Sequence, residues 1–354
     1  MMKHGNPISR VKGFSLLEMM VAMVILSVLM LMLTVLLDQV QRSWRYAESR
    51  ISQFREARVA FDLMTKNIGQ ASLNTYWNLK DDDKDGLFDG YYRTTELHFL
   101  TLTADEMGSS PNQKPVGQGI FFQAPLGFSG QYRNLNNLFN ARGYFVSFGS
   151  DKRFKPSFIN SEDRFRFRLM EFRPPAEANQ IFEDGRAERE KGEDQDFNSW
   201  YKQALTGVGK GDFESHLNPI AENIITLIVS PRDSLEVTTA SRTDTYSKIA
   251  PDFKFDSNKK PASSGGGDDF SDFSQQVPPL VRVTMVAIDE AAAVRYAKEG
   301  SMPAEFTGPL NGLFKSTKSY SEDVQKLSDE LNKLNINHKV FSSMVMLRSA
   351  KWSS

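Results

Sequence analysis

The chain has 354 residues, with 43 lysines and arginines against 44 aspartates and glutamates, for a formal net charge of -1. This balance gives no electrostatic basis for nucleic-acid binding, because such proteins normally carry a clustered basic surface. Cysteine is absent, which excludes disulfides, thiolate zinc sites and cysteine nucleophiles. Apolar residues make up 40% of the chain, as in an ordinary soluble protein, but they are unevenly distributed.

The apolar residues concentrate in one run near the N-terminus. Residues 14–37 contain only four residues that are not apolar, and neither glycine nor proline interrupts them. As a helix rising about 1.5 Å per residue, the run spans about 36 Å, enough to cross a hydrocarbon core of about 30 Å. A soluble core helix rarely stays apolar on every face, and a removable secretory signal has a shorter apolar segment before a small-residue cleavage site. The run therefore predicts a retained membrane anchor.

The junction before this run carries the most specific signal. A short basic leader ends at Gly13, and Glu18 places a carboxylate one turn inside the apolar helix. An ionised carboxylate costs about 2–3 kcal/mol near mid-bilayer and less near a helix end. Cleavage after Gly13 would give Phe14 a free α-amine, which is a natural partner for that carboxylate. Lysines and arginines flank the run on both sides, so the positive-inside rule does not decide its orientation.

Residues 13–18 read Gly-Phe-Ser-Leu-Leu-Glu, and with them the chain resembles the type IV pilin and pseudopilin superfamily. The resemblance implies cleavage by prepilin peptidase after Gly13, N-methylation of Phe14, and docking of Glu18 against other pilin or pseudopilin subunits. It also implies that residues 1–13 are a cytoplasmic leader, that residues 14–37 cross the inner membrane once, and that the head is periplasmic.

A helical pattern continues from residue 38 to residue 73. Apolar residues recur at spacings of three and four with charged residues opposite, which is typical of an amphipathic helix packed on a sheet. A coiled coil with a partner is the alternative. The apolar stripe consists of Leu37, Val40, Trp44, Ala47, Ile51, Phe54, Phe61 and Ile68.

Residues 74–354 change to short runs rich in aromatic and β-branched residues, which predict one head built on an antiparallel sheet. Polar composition predicts loops near 183–218 and 252–276. Residues 164–169 alternate arginine with apolar residues, which predicts a strand with a solvated basic face. The predicted strands are 96–102, 119–123, 144–148, 164–172, 224–230, 280–288 and 339–347, with a short helix at 322–334.

The predicted fold class is therefore α+β and pilin-like. A long N-terminal helix, with a membrane half and an amphipathic half, packs on an antiparallel β-sheet head.

One acidic segment has the spacing of a calcium loop, D-x-D-x-D-G, with Gly86 at the turn position. Ca²⁺ takes six to eight oxygen ligands, so alternate carboxylates suit it. Position 12 is a tyrosine rather than the usual glutamate, and Glu96 is a further carboxylate that would complete the set. A solvated acidic turn is the alternative. The predicted ligands are Asp81, Asp83, Asp85 and Asp89.

Beyond the N-terminus, the body is similar to protein C of the four-protein Verru_Chthon cassette. More loosely, the long helix and large β head resemble the J-type minor pseudopilin of type II secretion. The segments of this chain that match the cassette protein are 57–62, 74–77, 121–127, 141–146, 221–223, 340–342 and 350–353.

The sequence carries no nucleophile elbow, H-E-x-x-H motif or Walker loop, and its four histidines are dispersed. The resemblances imply a non-enzymatic minor pilin-like or pseudopilin-like subunit. Such a subunit enters or primes a periplasmic fibre of the type II secretion or type IV pilus kind. The alternative is a membrane-anchored periplasmic binding or adhesion module with no role in a fibre.

Overall fold

The structure is a computed structural model, and the chain forms an α+β fold with a long N-terminal apolar helix and antiparallel sheets, as the sequence predicts. Contacts between Cα atoms divide the chain into two units, residues 1–52 and 53–354. The structure describes residues 15–80, 87, 89–110, 113–133, 135, 137–156, 158–159, 161–182, 199–206, 216–233, 247–259, 274–296 and 302–350.

Helix α1 (Leu16–Ile68) is 53 residues long and confirms that the membrane run and the amphipathic pattern form one helix. In the second unit, Phe61, Met64 and Ile68 are buried in the core of the head. The ring of Phe61 lies 5.8 Å from that of Phe341. The helix from Phe54 to Ile68 therefore packs on the head, whereas Val40 and Trp44 of the predicted apolar stripe are exposed.

Three antiparallel sheets are found among the described residues. A separate hairpin consists of β1 (Tyr76–Lys80) and β2 (Gly90–Thr94). The other strands are β3 (Leu100–Thr103), β4 (Gln113–Pro125), β5 (Phe139–Ser150), β6 (Phe165–Phe172), β7 (Leu217–Glu222), β8 (Ile224–Arg232), β9 (Phe255–Asp256), β10 (Leu280–Ile288) and β11 (His338–Met346). A six-stranded sheet has the order β7-β6-β5-β4-β3-β9, and a three-stranded sheet has the order β11-β10-β8.

Short helices complete the described head. They are α2 (Ala104–Met107), α3 (Ser199–Thr206), α4 (Glu290–Tyr296), α5 (Ala304–Gly312) and α6 (Tyr320–Lys333). The helix predicted at 322–334 is α6, which begins two residues earlier.

The predicted strands coincide with observed strands, but their ends differ. Strand β4 begins six residues before the predicted start at 119, and residues 96–99 precede β3 rather than belonging to it. Side chains, not a neighbouring strand, accept the backbone N–H groups there. The N–H groups of Glu96 and Leu97 donate to Asn74 Oδ1 at 3.0 and 3.3 Å, and that of His98 donates to Gln123 Oε1 at 2.9 Å. The alternation of apolar and polar residues in the sequence does not reveal these hydrogen bonds to side chains.

The predicted loop near 183–218 is wrong in its described part, whereas the described part of 252–276 consists of turns and bends apart from the two-residue strand β9. Within 183–218, α3 buries Trp200 and Tyr201, because its aromatic residues pack against the six-stranded sheet. Within 252–276, the buried residues Phe253 and Phe255 join the core, and β9 pairs with β3. Residues 183–198, 207–215 and 260–273 lie outside the described residues. The polar average composition of the two segments does not reveal these few buried aromatic residues.

The prediction of a solvated basic face at residues 164–169 is wrong for two of the three arginines, the two that lie in β6. Arg166 and Arg168 are 5% and 3% exposed. Their guanidinium groups meet Glu290 Oε1 at 2.7 Å and Glu222 Oε1 at 3.2 Å. Burial lowers the pKa of Arg168, and the charge of Glu222 opposes that effect. Carboxylates on segments distant in sequence offset part of the free-energy cost of burying these cations. The sequence of the strand alone does not reveal those carboxylates.

The six-stranded sheet is covered on both faces. On one face, Phe122 and Tyr144 belong to the core that includes the described second half of α1. On the other, Phe121 stacks on Tyr201 of α3, with ring centroids 4.7 Å apart. Gly143 lies opposite Phe121 in the ladder between β4 and β5. The missing side chain at Gly143 leaves the space that the ring of Phe121 occupies.

Gly143→Ala should destabilise the protein. A Cβ at this position would lie 2.3 Å from Phe121 Cδ1, and overpacking of this kind costs about 1–3 kcal/mol. Gly90→Ala is the matched control, because nothing lies within 4 Å of a Cβ there. Urea unfolding of the full chain in detergent, followed by tryptophan fluorescence, measures both variants. Equal unfolding midpoints for the two would contradict this packing.

Candidate functional site

The first part of α1 has the length and composition of a membrane-spanning helix. Leu16–Arg45 comprises 30 residues, and none of its most apolar window is buried by other described parts of the chain. At about 1.5 Å per residue it spans about 45 Å, which matches a bilayer including its polar interfaces. Uncovered apolar side chains on every face indicate a membrane-anchored protein rather than a soluble core helix.

Two polar side chains inside this span are satisfied by the helix itself. Ser27 Oγ donates to the carbonyl of Met23 and Thr34 Oγ1 donates to that of Met30, both at 2.8 Å. Such bonds to the preceding turn leave no unpaired hydroxyl facing an apolar environment.

Glu18 is different, because its carboxylate meets the chain at the start of the helix. Its Oε2 accepts a hydrogen bond from the backbone N–H of Ser15 at 2.9 Å. The first N–H groups of a helix lack partners within it and carry partial positive charge, so a carboxylate is stabilised there. Gly13 and Phe14 lie outside the described residues. Cleavage, methylation and docking at these positions stay predictions.

The far end of the span carries the residues expected at a membrane interface. Arg42 pairs with Asp38 at 2.7 Å, and Trp44 is 70% exposed. Tryptophan is enriched at the level of the lipid headgroups, and long basic side chains extend toward water there. These are the side chains expected where a membrane-spanning helix leaves the hydrocarbon region.

The predicted calcium loop falls mostly outside the described residues. Asp81, Asp83 and Asp85 are not described, whereas Asp89 is exposed and directly precedes β2. The loop joins β1 to β2, whose ladder closes with Lys80 paired to Gly90. No group of three or more metal-binding side chains occurs among the residues that the structure describes. Calcium binding by this loop stays a prediction.

Glu96 does not suit the role of an additional ligand. The five residues of β2 separate it from Asp89, and at about 3.3 Å per residue this is about 16 Å of strand. Its Oε2 instead accepts a hydrogen bond from Asn74 Nδ2 at 3.2 Å, at the base of the hairpin. The prediction that Glu96 completes the site is therefore wrong.

His98 is a structural residue with both ring nitrogens engaged. Its Nε2 lies 2.7 Å from Asp256 Oδ1, and its Nδ1 accepts a hydrogen bond from Trp200 Nε1 at 3.3 Å. Burial raises the pKa of Asp256, but its hydrogen bond with His98 holds that pKa below the ordinary value. A histidine held at both nitrogens has neither position open for proton transfer.

The sequence analysis missed the hairpin of β1 and β2. Trp77 and Leu79 are 62% and 64% exposed on it. The available signal was the run of aromatic residues on each side of the acidic segment, since aromatic residues are enriched in strands.

Comparison with known proteins supports the interpretation of the N-terminal segment as a methylation motif. The family model of the prokaryotic N-terminal methylation motif matches residues 8–34. No curated protein matches the chain, and no solved structure matches it. The matched span contains the junction at Gly13, the carboxylate of Glu18 and most of the apolar run. The chain therefore carries the N-terminal motif of type IV pilin-like proteins at the head of an uncovered apolar helix.

Proposed function

We propose that the chain is a minor pilin-like or pseudopilin-like structural subunit that enters or primes a periplasmic fibre of the type II secretion or type IV pilus kind. The methylation motif at residues 8–34 carries this proposal. Prepilin peptidase cleaves after Gly13, and Phe14 then becomes the methylated first residue. The role is structural and requires no catalytic residue.

The apolar helix serves two environments in this function. In the membrane, its side chains face lipid, and in a fibre the same side chains pack against the helices of neighbouring subunits. Neither environment offers water to a carboxylate, so Glu18 must find a partner in both. The α-amine of Phe14 in a neighbouring subunit is a suitable partner, because charge pairing is strong at low dielectric. The pair would fix the axial register of adjacent helices.

The proposed topology follows the resemblance to pilins. The leader of residues 1–13 lies in the cytoplasm, the helix crosses the inner membrane once, and the head lies in the periplasm. A head without cysteine is compatible with this compartment, since its fold needs no disulfide.

For the body of the chain, we propose relationship to protein C of the Verru_Chthon cassette, with the J-type minor pseudopilin as a looser relative. The matching segments 121–127 and 141–146 fall largely in β4 and β5 at the centre of the six-stranded sheet. A membrane-anchored binding or adhesion module remains the alternative function, and it predicts that assembly does not depend on Glu18.

Glu18→Ala should leave cleavage intact but abolish assembly, because the variant loses the carboxylate that pairs with a neighbouring subunit. Ser27→Ala is the matched control, since the hydroxyl of Ser27 bonds only to its own helix at Met23. An immunoblot reports cleavage, and sedimentation of sheared fibres reports assembly. Wild-type amounts of fibre in Glu18→Ala would refute the assembly role and favour the binding module.

We also propose that the loop between β1 and β2 binds Ca²⁺ through Asp81, Asp83, Asp85 and Asp89. The pairing of Lys80 with Gly90 supports this, because these residues are the chain neighbours of Asp81 and Asp89 and their Cα atoms are paired. The ends of the acidic segment are therefore held together before any ion binds.

Titration calorimetry of the full chain in detergent with Ca²⁺ tests the loop. The expected dissociation constant is about 0.1–1 mM, as in extracellular calcium modules. Asp83→Ala should remove the heat of binding, whereas Asp105→Ala, which changes an exposed aspartate on α2, should not. No heat at millimolar calcium, or unchanged heat in Asp83→Ala, means that the loop is a plain acidic turn.

A further inference from the structure

The loop between β5 and β6, residues 151–164, presents two apolar side chains to solvent, and we call them the apolar tip. Phe158 is 82% exposed, more than any other large hydrophobic residue of the described head, and Ile159 beside it is 46% exposed. By contrast, Phe154 of the same loop packs against the core cluster that contains Tyr201 of α3. The apolar tip is therefore not part of the core of the head.

The loop that carries this tip is held in shape by its charged residues. The ammonium group of Lys155 lies 3.1 Å from a carboxylate oxygen of Asp151 and 3.1 Å from one of Asp163. The same group donates to the carbonyl of Ser161 at 3.0 Å and to that of Glu162 at 2.6 Å. A surface on such a braced loop loses little conformational entropy when it binds.

The direction of α1 along the six-stranded sheet shows at which end of the head the loop lies. The backbone N–H of Ser72, just after α1, donates to the carbonyl of Gln123 at 3.0 Å, and Gln123 pairs with Ala141 near the start of β5. Five residues earlier in the chain, Asn67 Nδ2 donates to the hydroxyl of Tyr144 at 2.7 Å, three residues further along β5. The two elements therefore run in opposite directions.

The end of β5 consequently lies at the end of the head where α1 enters it. From Asn67 back to Phe54 is 13 residues of helix, which rise about 20 Å at 1.5 Å per residue. From Tyr144 forward to Ser150 is six residues of strand, which also cover about 20 Å at 3.3 Å per residue. The loop of the apolar tip follows Ser150 directly.

The chain keeps this end of the head within reach of the membrane. Leu16–Arg45 has the length and composition of a membrane span, and the head unit begins eight residues after Arg45, at Gln53. Even a fully extended chain of eight residues covers only about 28 Å. This bound holds for any arrangement of the helix and the head, so the end of the head that carries the apolar tip is the end tethered to the bilayer.

The side chains of the loop suit the surface of a phospholipid bilayer. Aromatic and apolar residues are stabilised at the level of the headgroups, where their apolar surface leaves water. Near its two ends the loop also carries exposed basic residues, Lys152 and Arg164. Long basic side chains of this kind reach the phosphates of lipids and are attracted to anionic headgroups.

We propose that the apolar tip, Phe158 and Ile159, inserts into the surface of the phospholipid bilayer that anchors the same chain. The contact gives the head a second attachment to the membrane in addition to the helix. Because the anchor keeps the local concentration of lipid at the loop high, even a weak insertion is well populated. The insertion also fixes which side of the head faces the bilayer.

This inference rests on the membrane anchor and goes beyond the proposed fibre function. A subunit that enters a fibre leaves the bilayer, so the apolar tip has to be withdrawn from the lipid at that step. The contact therefore belongs to the membrane-bound form of the chain, before assembly, and it does not depend on Glu18.

Site-specific fluorescence of the full-length chain tests the contact, because the cysteine-free sequence allows a single label per molecule. Ile159→Cys carries an environment-sensitive fluorophore, and the chain is reconstituted into vesicles of phosphatidylethanolamine and phosphatidylglycerol. The emission should shift to shorter wavelength, and lipids that carry a nitroxide near the headgroup should quench it.

Tyr132→Cys, labelled in the same way, is the matched control. Tyr132 is 62% exposed in the loop between β4 and β5, so it is also an exposed aromatic residue. The 12 residues of β5 separate the two loops by about 40 Å of strand. The label at this position should therefore remain in water and escape quenching.

Phe158→Asp in the labelled Ile159→Cys chain provides a second variant. The exposed position tolerates a polar residue without loss of folding, but a carboxylate opposes insertion into lipid, so the emission shift and the quenching should both be lost. Water-like emission of the Ile159→Cys label, or equal quenching of the Tyr132→Cys label, would overturn the proposal. Shielding that appears only in assembled fibres would also overturn it, because it would assign the apolar tip to a neighbouring subunit.

The failure of this inference and the failure of the proposed function are distinguishable. If quenching is absent while Glu18-dependent fibres still form, the bilayer contact is wrong and the fibre role stands. If the label is quenched and Glu18→Ala still forms wild-type amounts of fibre, the bilayer contact stands and the assembly role of Glu18 is wrong.

Discussion

The apolar surface of α1 is the constraint on which the rest of the molecule depends. A helix of 30 residues that no described part of the chain covers is stable only in lipid or against other apolar helices. In each environment the carboxylate of Glu18 has little access to water. The backbone N–H of Ser15 at the start of the helix donates a hydrogen bond to this carboxylate. Anchoring and assembly therefore follow from one physical demand.

In the head, buried polar and charged groups obtain hydrogen-bond partners from segments distant in sequence. Side chains of Asn74 and Gln123 replace a strand partner at residues 96–98. Partly exposed carboxylates on α4 and β7 pair with the buried Arg166 and Arg168. These polar contacts join distant segments, so they fix the relative positions of the strands, whereas hydrophobic burial alone is not directional.

The sequence predicted the parts of this structure that depend on local pattern. The continuous helix, the α+β class and the bounds of β10 at 280–288 follow from periodicity and are confirmed. The hallmark around Gly13 and Glu18 was readable because it is contiguous. The buried arginines of β6, helix α3 and the start of β3 were predicted wrongly, since each depends on partners from remote segments. A single sequence does not display those partners.

The account rests on removal of the leader after Gly13, and mass spectrometry of the N-terminal peptide of the mature protein tests it most directly. The account predicts that the protein isolated from membranes begins at Phe14 and carries a methyl group on its α-amine. A protein that retains residues 1–13, or that begins at any other position, would contradict it.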